Sequence, residues 1–401
     1  MLSRGHRHHV GFYSPLATER LTLETDQSQP GSGGAETQAV VLARALAKRG
    51  LAVCLVAYGD PGVDVPARDQ GVDIIARPRY AVGGTLRRVR EIRVLWSRVR
   101  AIDATVTVAF CSGYWVGLVG LFTRLSRRRF VFASASLGDF NYETWLKKRR
   151  ERILYRLGLS LADTIIVQTQ EQVQLCEQRF GRTPILINSA SEPAELSAQR
   201  PEAFLWAARA DANKQPLEYV ELARALPEAQ FWMVCRPHNG PGDDQRWEAV
   251  QEAARTLPNL ELLPARPRSQ LLKLMDRAVA VVSTSKLEGM PNIFLEGWSR
   301  GVPALALSHD PDGIIGRHGL GGYAEGGSDR LVELARELWN ARDDRSDCAA
   351  RCRAYVEENH SLQAVSAQWV DALGLGNGRL HPGDPNGVPS QERKHATARD
   401  R

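Results

Sequence analysis

The sequence has few cysteines and no long apolar run. Six cysteines are spread over 401 residues, too few for a disulfide framework in a chain of this size. The best apolar run, Tyr114–Phe122, contains two glycines and is about half as long as the roughly 18 residues that a membrane-spanning helix needs. After MLSRGHRHHV the sequence turns polar without an apolar core or a cleavage site, so no signal peptide is predicted. These features exclude membrane-spanning and disulfide-rich secreted classes, and we expect a cytoplasmic chain.

Aromatic residues make up only 7% of the chain, but 43% is hydrophobic and 24% is charged. This is the composition of a soluble globular protein, which excludes fibrous and wholly disordered classes. The length predicts two domains, each of about 150 to 200 residues, with room for a cleft between them. The net charge of +6 is distributed unevenly along the chain. Residues 1–190 hold 27 of the 52 Lys and Arg residues and 16 of the 46 Asp and Glu residues. This half therefore has a net charge of +11, and the other half has a net charge of −5.

Short β-rich apolar runs alternate with longer amphipathic stretches, which predicts an α/β fold with two mostly parallel, Rossmann-like sheets. A polar run after residue 188 separates the halves and is interpreted as a linker. We therefore predict a first domain over 1–190, a second over 200–358, a last helix over 360–373 that crosses back onto the first domain, and a tail over 374–401. That tail has almost no large apolar residue, so we expect it to be disordered.

The segment VVSTSKLEGMPNIFLEGWSRGVPALALS at 281–308 contains two carboxylates, Glu288 and Glu296. A strand is predicted to end near Thr284, and Pro291 stands where the first residue of a helix is expected, a position that proline favours. Glu288 then lies in the loop at the carboxyl ends of the strands, and Glu296 lies one to two turns into the helix. The backbone N–H groups at the helix start form a predicted anion site that suits a phosphate.

The run Glu-Gly-Met-Pro-Asn-Ile-Phe-Leu-Glu, from Glu288 to Glu296, resembles the Glu-x7-Glu motif of retaining glycosyltransferases of the GT-B fold, family 4, the glycosyl transferases group 1. The resemblance implies two Rossmann-like domains facing across a cleft. It also implies that Glu288 lies against the donor sugar as a catalytic residue and that Glu296 binds the ribose. The remaining donor-binding residues that it implies are Gly289, Met290, Pro291 and Asn292.

Ala-Arg-Ala-Asp-Ala-Asn-Lys at 208–214 is similar to the family's Arg-x4-Lys, which implies that Arg209 and Lys214 hold the donor diphosphate. Fixed positive charge in a closed cleft is what the departure of a diphosphate requires. In the first half, Gly33 and Gly34 belong to a glycine-rich turn that resembles the acceptor and phosphate loop of the family. Such a turn also occurs in dinucleotide-binding folds, but here no acidic residue ends the next strand. The resemblance covers about residues 8–373.

Many members of the family carry a histidine after the fourth strand of the acceptor domain, whereas this sequence reads FASASLGDF at 132–140. Ser136 and Asp139 are the candidates to replace it.

The resemblance implies a retaining hexosyltransferase that uses a nucleotide sugar of the UDP or GDP type, without a metal or other cofactor. The implied acceptor is a polysaccharide or a lipid-linked glycan, as in biosynthesis of the cell envelope. Two alternatives stay open: a catalytically lapsed binding subunit of the same fold, and a nucleotide-sugar epimerase.

Three arginine-rich clusters carry the positive charge of the first half, within residues 87–100, 124–129 and 147–156. Such clusters suit an anionic membrane surface. Nucleic acid is not expected, because aromatic residues do not alternate with these arginines. We expect a peripheral protein at the inner face of the membrane, with a solvated basic face as the alternative.

Other patterns invite a functional interpretation but favour a structural one. Asp310 and Asp312 imitate an Asp-x-Asp metal motif, although they are expected to lie in a loop beside the donor. His6, His8 and His9 are expected at a frayed terminus. Trp206 and Trp298 are expected to be buried rather than to stack on a ligand.

Overall fold

The computed structural model describes residues 7–17, 21, 33–59, 65–77, 87–110, 113–195, 199–238, 240 and 242–376. Within these residues the chain forms two sheets, each covered by helices on both faces. Most of the predicted tail, from residue 377, lies outside the described residues, as do His6 and Cys111. Among the described residues, no helix combines the length and the apolar character that crossing a membrane requires.

The first sheet has eight strands in the order β3-β4-β2-β1-β5-β6-β7-β8, parallel throughout except that β3 runs antiparallel to β4. Its strands are β1 His8–Tyr13, β2 Val53–Tyr58, β3 Arg68–Asp69, β4 Val72–Arg77, β5 Ala104–Phe110, β6 Arg129–Ala133, β7 Thr164–Val167 and β8 Ile185–Leu186. The helices of this half are α1 Gly34–Lys48, α2 Arg87–Ala101, α3 Val116–Leu125, α4 Arg149–Leu161 and α5 Gln170–Phe180. Val10 and Phe12 of β1 enter one hydrophobic layer and Tyr13 enters the other, as the alternation of side chains along a strand requires.

The second sheet has six parallel strands in the order β11-β10-β9-β12-β13-β14. They are β9 Ala203–Arg209, β10 Phe231–Arg236, β11 Leu260–Leu263, β12 Ala278–Ser283, β13 Ala304–Ala306 and β14 Gly321–Tyr323. Its helices are α6 Pro216–Ala225, α7 Asp243–Thr256, α8 Arg268–Met275, α9 Asn292–Ser299, α10 Ile314–His318, α11 Ser328–Asn340 and α12 Ser346–His360. Phe204 and Trp206 of β9 pack into one layer and Leu205 into the other.

The last helix, α13 Leu362–Ala372, packs against the first domain, although it follows the second domain in sequence. Val365, Trp369 and Leu373 belong to the hydrophobic layer that contains α1. Trp369 stacks on Phe110 of β5 with ring centroids 6.2 Å apart. The chain therefore passes between the domains twice, at residues 189–203 and at the junction of α12 and α13.

The α/β class with two parallel-sheet domains is confirmed, but the expectation for the histidines near the start of the chain is wrong. His8 and His9 lie in β1 rather than at a frayed end, and His8 Nε2 bonds Asp73 Oδ2 at 2.9 Å. Helix α4 begins at Arg149, after a 3-10 turn at Tyr142–Thr144.

Candidate functional site

A cleft of about 550 Å³ lies between the two domains. The second domain contributes residues that follow β9, β10, β11 and β12, and the first contributes the start of α1 and the segment after β6. The sequence-predicted residues that line it are Gly33, Gly34, Ser136, Arg209, Lys214, Glu288, Met290, Pro291, Asn292 and Glu296. Because the carboxyl ends of parallel strands share one edge of a sheet, residues distant in sequence meet here.

The turn from Arg209 to Lys214 is shaped by the buried carboxylate of Asp211. Asp211 Oδ1 accepts hydrogen bonds from the backbone N–H groups of Asn213 and Lys214, both at 3.0 Å. Asp211 Oδ2 lies 3.3 Å from Arg209 Nη2. One carboxylate thus holds the turn and orients the guanidinium of Arg209.

Asn213 connects this turn to the loop that carries Glu288. Its side chain donates through Nδ2 to the carbonyl of Leu287 at 2.9 Å and accepts at Oδ1 from the N–H of Leu287 at 3.1 Å. The backbone carbonyl of Asn213 also accepts from the N–H of Lys286 at 2.9 Å. This reciprocal pairing fixes the two predicted catalytic segments relative to each other.

Lys214 Nζ and Glu288 Oε1 form an ion pair inside the cleft. Burial by itself would raise the pKa of Glu288, but the charge and hydrogen bond of Lys214, together with Ser285 and His309, outweigh burial and lower that pKa below its usual value. Glu288 is therefore a carboxylate at neutral pH, and it lies next to a cation.

Helix α9 begins at Asn292, and Pro291 is its N-cap rather than its first residue as predicted. Glu296 is only 8% exposed and pairs with Arg268. The side chain of Met290 packs in the hydrophobic layer of the second domain. Asn292 donates through Nδ2 to the carbonyl of Gly34 at 2.8 Å and accepts from Gln38. Asn292 is thus bonded across the cleft to the glycine-rich turn.

Gly289 lies at a close approach between the two domains. A Cβ placed on Gly289 would lie 2.8 Å from the carbonyl oxygen of Ala135, which is closer than real Cβ atoms come. The loop around Glu288 therefore contacts the first domain directly, and a side chain at Gly289 would push the domains apart.

Ser136 lines the cleft, whereas Asp139 does not. Asp139 is 1% exposed, and its Oδ2 accepts from Ser134 Oγ at 2.9 Å and from the N–H groups of Ala135 and Ser136 at 2.8 and 3.1 Å. It holds the loop after β6, so the expectation that it replaces the family histidine in the cleft is wrong. Ser136 Oγ accepts from the N–H of Gly138 at 3.2 Å as part of a capping box.

Sequence reasoning missed Glu36, Trp115, Arg236, Arg266 and Arg268, all of which line the cleft. Arg236 is the last residue of β10, and Arg266 and Arg268 follow β11. Applying the rule about carboxyl ends to every predicted strand would have found these arginines. Trp115 carried no comparable signal, because it begins a helix.

The other patterns are structural. Asp310 accepts from the N–H groups of Ile315 and Gly316, at 2.9 and 3.2 Å, and Asp312 binds the start of α5. Trp206 and Trp298 are buried as predicted. The five cysteines within the described residues are free. In this part of the chain, no group of three or more His, Cys, Asp or Glu residues is arranged to hold a metal ion.

Comparison with known structures identifies the architecture. Sucrose-phosphate synthase from Thermosynechococcus elongatus superimposes with a TM-score of 0.71 at 16% identity over 91% of this chain and 98% of that one. Anabaena HepE in complex with UDP and glucose gives a TM-score of 0.70 at 14% identity, over 92% of this chain and 99% of HepE. WaaG, a glycosyltransferase involved in lipopolysaccharide biosynthesis, gives a TM-score of 0.64 at 14% identity, over 92% of this chain and 100% of WaaG.

The fold is GT-B. Within it, residues 33–188 of the first domain match the family described as "Glycosyl transferase 4-like domain". A stretch covering 28% of this chain is 25% identical to "Glycosyltransferase 1 domain-containing protein 1" of Xenopus tropicalis. That stretch spans only 33% of the relative, so it says nothing about the rest of that protein. The cleft described above is the interdomain cleft of this GT-B fold.

Proposed function

We propose that this protein is a retaining glycosyltransferase that moves a hexose from a nucleotide sugar to a polysaccharide or lipid-linked glycan. The observation that carries the proposal is the pairing of Lys214 with Glu288 in a cleft between two domains that Arg209 also lines. The GT-B fold and the family match over residues 33–188 support it.

For the donor we propose a UDP sugar as the first candidate. HepE has been solved with UDP and with UDP-glucose, and TarM from S. aureus with UDP. In this chain Arg209 and Lys214 would hold the diphosphate, the start of α9 would contribute backbone N–H groups, and Glu296 would bind the ribose.

We propose that the reaction proceeds on one face of the sugar. The bond between the anomeric carbon and the diphosphate oxygen breaks, and the bond to the acceptor oxygen forms on the same side, so the configuration is retained. The acceptor proton goes to an oxygen of the leaving diphosphate, whose charge Arg209 and Lys214 stabilise without a metal ion. Glu288, ionised next to Lys214, positions the sugar and stabilises its positive charge in the transition state.

We further propose that the protein is cytoplasmic and binds the inner face of the membrane through one narrow surface. Several arginines of the basic clusters serve internal contacts instead: Arg98 lies over the ring of Tyr58, Arg128 bonds the carbonyl of Val99, and Arg129 bonds that of Leu373. The side chains of Arg87, Arg88 and Arg90 lie outside the described residues.

Arg93, Arg100, Arg124 and Arg127 are also exposed, but the third cluster combines exposed cations with exposed apolar residues on one face around α4, which we call the α4 surface. Its members are Lys147, Lys148, Arg149, Arg150, Ile153 and Leu157. Ile153 and Leu157 are 58% and 37% exposed. Exposed apolar residues flanked by cations are typical of helices that lie in the membrane interface.

The decisive experiment is donor hydrolysis in a buffer that contains EDTA. We expect the wild type to hydrolyse its preferred UDP sugar slowly, and Glu288→Ala and Lys214→Ala to lose about 10²-fold to 10³-fold in rate. Arg255→Gln is the matched control, because Arg255 is an exposed arginine of α7 paired with Glu252. Unchanged rates in both cleft variants would overturn the assignment.

Two further measurements separate the alternatives. Calorimetric titration with a panel of nucleotide sugars would show no tight binding for a lapsed subunit. Product analysis without acceptor would show an altered sugar for an epimerase, whereas a transferase would release only the original sugar by slow hydrolysis. With acceptor present, a retaining transferase gives a product with the anomeric configuration of the donor.

A further inference from the structure

Arg236 lies beside Arg209 at the edge of the second sheet. The two residues are partners in the parallel register of β9 and β10, and each is the last residue of its strand. Neighbouring strands are about 4.8 Å apart, and partner residues have the same pleat. Both arginines line the cleft. The sheet therefore presents two guanidinium groups side by side, of which the Arg-x4-Lys resemblance accounts for only one.

Glu36 lines the same cleft from the first domain. It lies in the first turn of α1, and its carboxylate folds back over Gly33, the N-cap, so that a side chain at Gly33 would collide with it. A carboxylate in this place occupies the positive end of the helix, where a phosphate oxygen would also be stabilised. Burial raises the pKa of Glu36 above its usual value, although a backbone hydrogen bond and the charges of Arg209 and Arg236 act in the opposite direction.

The other two carboxylates that line the cleft already have partners of their own. Glu288 pairs with Lys214, and Glu296 pairs with Arg268. Asp211 orients Arg209 from within its own turn, and Glu36 is the remaining carboxylate of the cleft lining, contributed by the first domain.

We propose that Arg236 is a third cation of the diphosphate site and that Glu36 occupies the phosphate position until the donor binds. This inference rests on the proposed function and adds two residues to it. A bound diphosphate takes over the charge of Arg209 and Arg236, and Glu36 is left next to an anion of the same sign. Glu36 therefore weakens the binding of the nucleoside diphosphate and helps the product to leave.

The test is calorimetric titration of the full chain with UDP and, separately, with inorganic pyrophosphate. Arg236→Gln should lower the affinity for both ligands by about tenfold, the usual effect of losing one charge-assisted hydrogen bond. Glu36→Gln keeps the shape of the side chain and removes its charge, so it should raise the affinity for both ligands by roughly threefold to tenfold. Arg236→Lys keeps the positive charge and should lose less affinity than Arg236→Gln. The control Arg255→Gln should bind both ligands like the wild type.

A double-mutant cycle with Arg236→Gln and Glu36→Gln should show effects that are not additive, because each residue screens the other. The proposal is overturned if Arg236→Gln binds both ligands within twofold of the wild type, or if Glu36→Gln binds them more weakly. If the wild type binds UDP, and Lys214→Ala lowers the affinity for UDP while Arg236→Gln leaves it unchanged, only this inference fails. If the wild type binds neither ligand, the proposed function fails with it.

Discussion

The backbone N–H of Leu137, in the first domain, donates to the backbone carbonyl of Glu288, in the second, at 3.3 Å. The residue predicted to face the donor sugar is thus held from both sides of the cleft: Lys214 pairs with its side chain, and Leu137 bonds its main chain. An opening of the cleft would break the second contact. The position of Glu288 therefore depends on how the domains are arranged.

Lys214→Met should destabilise the fold most at neutral pH. With Lys214 present, the pKa of Glu288 is below its usual value, so the pair contributes stability above about pH 4.5 that is lost as the pH falls through the folded pKa. Without Lys214, an ionised Glu288 is left without its cation, which costs about 1 to 3 kcal/mol. Chemical unfolding at pH 7 and pH 4 should show the difference from wild type shrinking in acid; an equal difference at both values would contradict this.

Gly289→Ala should impair function more than it impairs folding. The added methyl group meets the carbonyl of Ala135 at 2.8 Å, a contact that only a shift of the two loops can relieve. We expect a loss of kcat/KM of tenfold or more, in line with the sensitivity of catalysis to misplacement by about 1 Å. Gly316→Ala is the matched control, since its nearest neighbour would be 3.9 Å away. Equal activity in both variants would show that the approach at Gly289 is not needed.

Asp312→Ala should loosen the contact between the domains at α5. The carboxylate of Asp312 accepts from the N–H groups of Gln170 and Glu171 at 2.8 and 3.1 Å, although Thr169 already caps the helix from its own domain. Losing a cap costs about 1 kcal/mol. Hydrogen exchange at Gln170 and Glu171 should speed up, and less so in Asp312→Asn, which keeps one acceptor and tolerates the positive φ of 51°. Unchanged exchange would mean that the contact is not populated in solution.

His360 should make stability depend on pH at the second crossing between the domains. It is buried at the end of α12, its Nδ1 lies 2.8 Å from the carbonyl of Ser189, and burial lowers its pKa to about 4. The unfolded chain binds this proton at a pKa of about 6.5, so stability is fully present above that pH and is lost as the pH falls towards 4. The loss is roughly 2 kcal/mol at pH 5. His360→Gln should show a flatter unfolding profile between pH 7 and pH 5; an identical slope would assign the effect to other groups.

The α4 surface should bind anionic vesicles. We expect co-sedimentation with vesicles that contain anionic lipid, weakened by salt and by the double change Ile153→Ser and Leu157→Ser. Leu217→Ser is the control, because Leu217 is 38% exposed but lies in α6 of the second domain, away from the basic clusters. Binding that depends on neither salt concentration nor lipid charge would contradict electrostatic binding of the membrane by the α4 surface.

Local pattern was enough for much of this protein. Apolar strands alternating with amphipathic helices determined the two parallel sheets, because a strand buried on both faces has to be apolar throughout, as in Val279 to Val282 of β12. The short motifs also located one side of the cleft, since Arg209, Lys214, Glu288 and Glu296 lie at or after strand ends that are readable in the sequence.

Only the tertiary structure decided which of these groups face each other. Asp139 looked like a cleft residue and is a buried loop cap, because three donors of its own loop surround its carboxylate. Arg236 was inconspicuous until the register of β9 and β10 placed it beside Arg209. Contacts between residues more than a hundred positions apart, such as Asn292 with Gly34, depend on how two separately folded sheets pack, and no local spacing in the sequence records that packing.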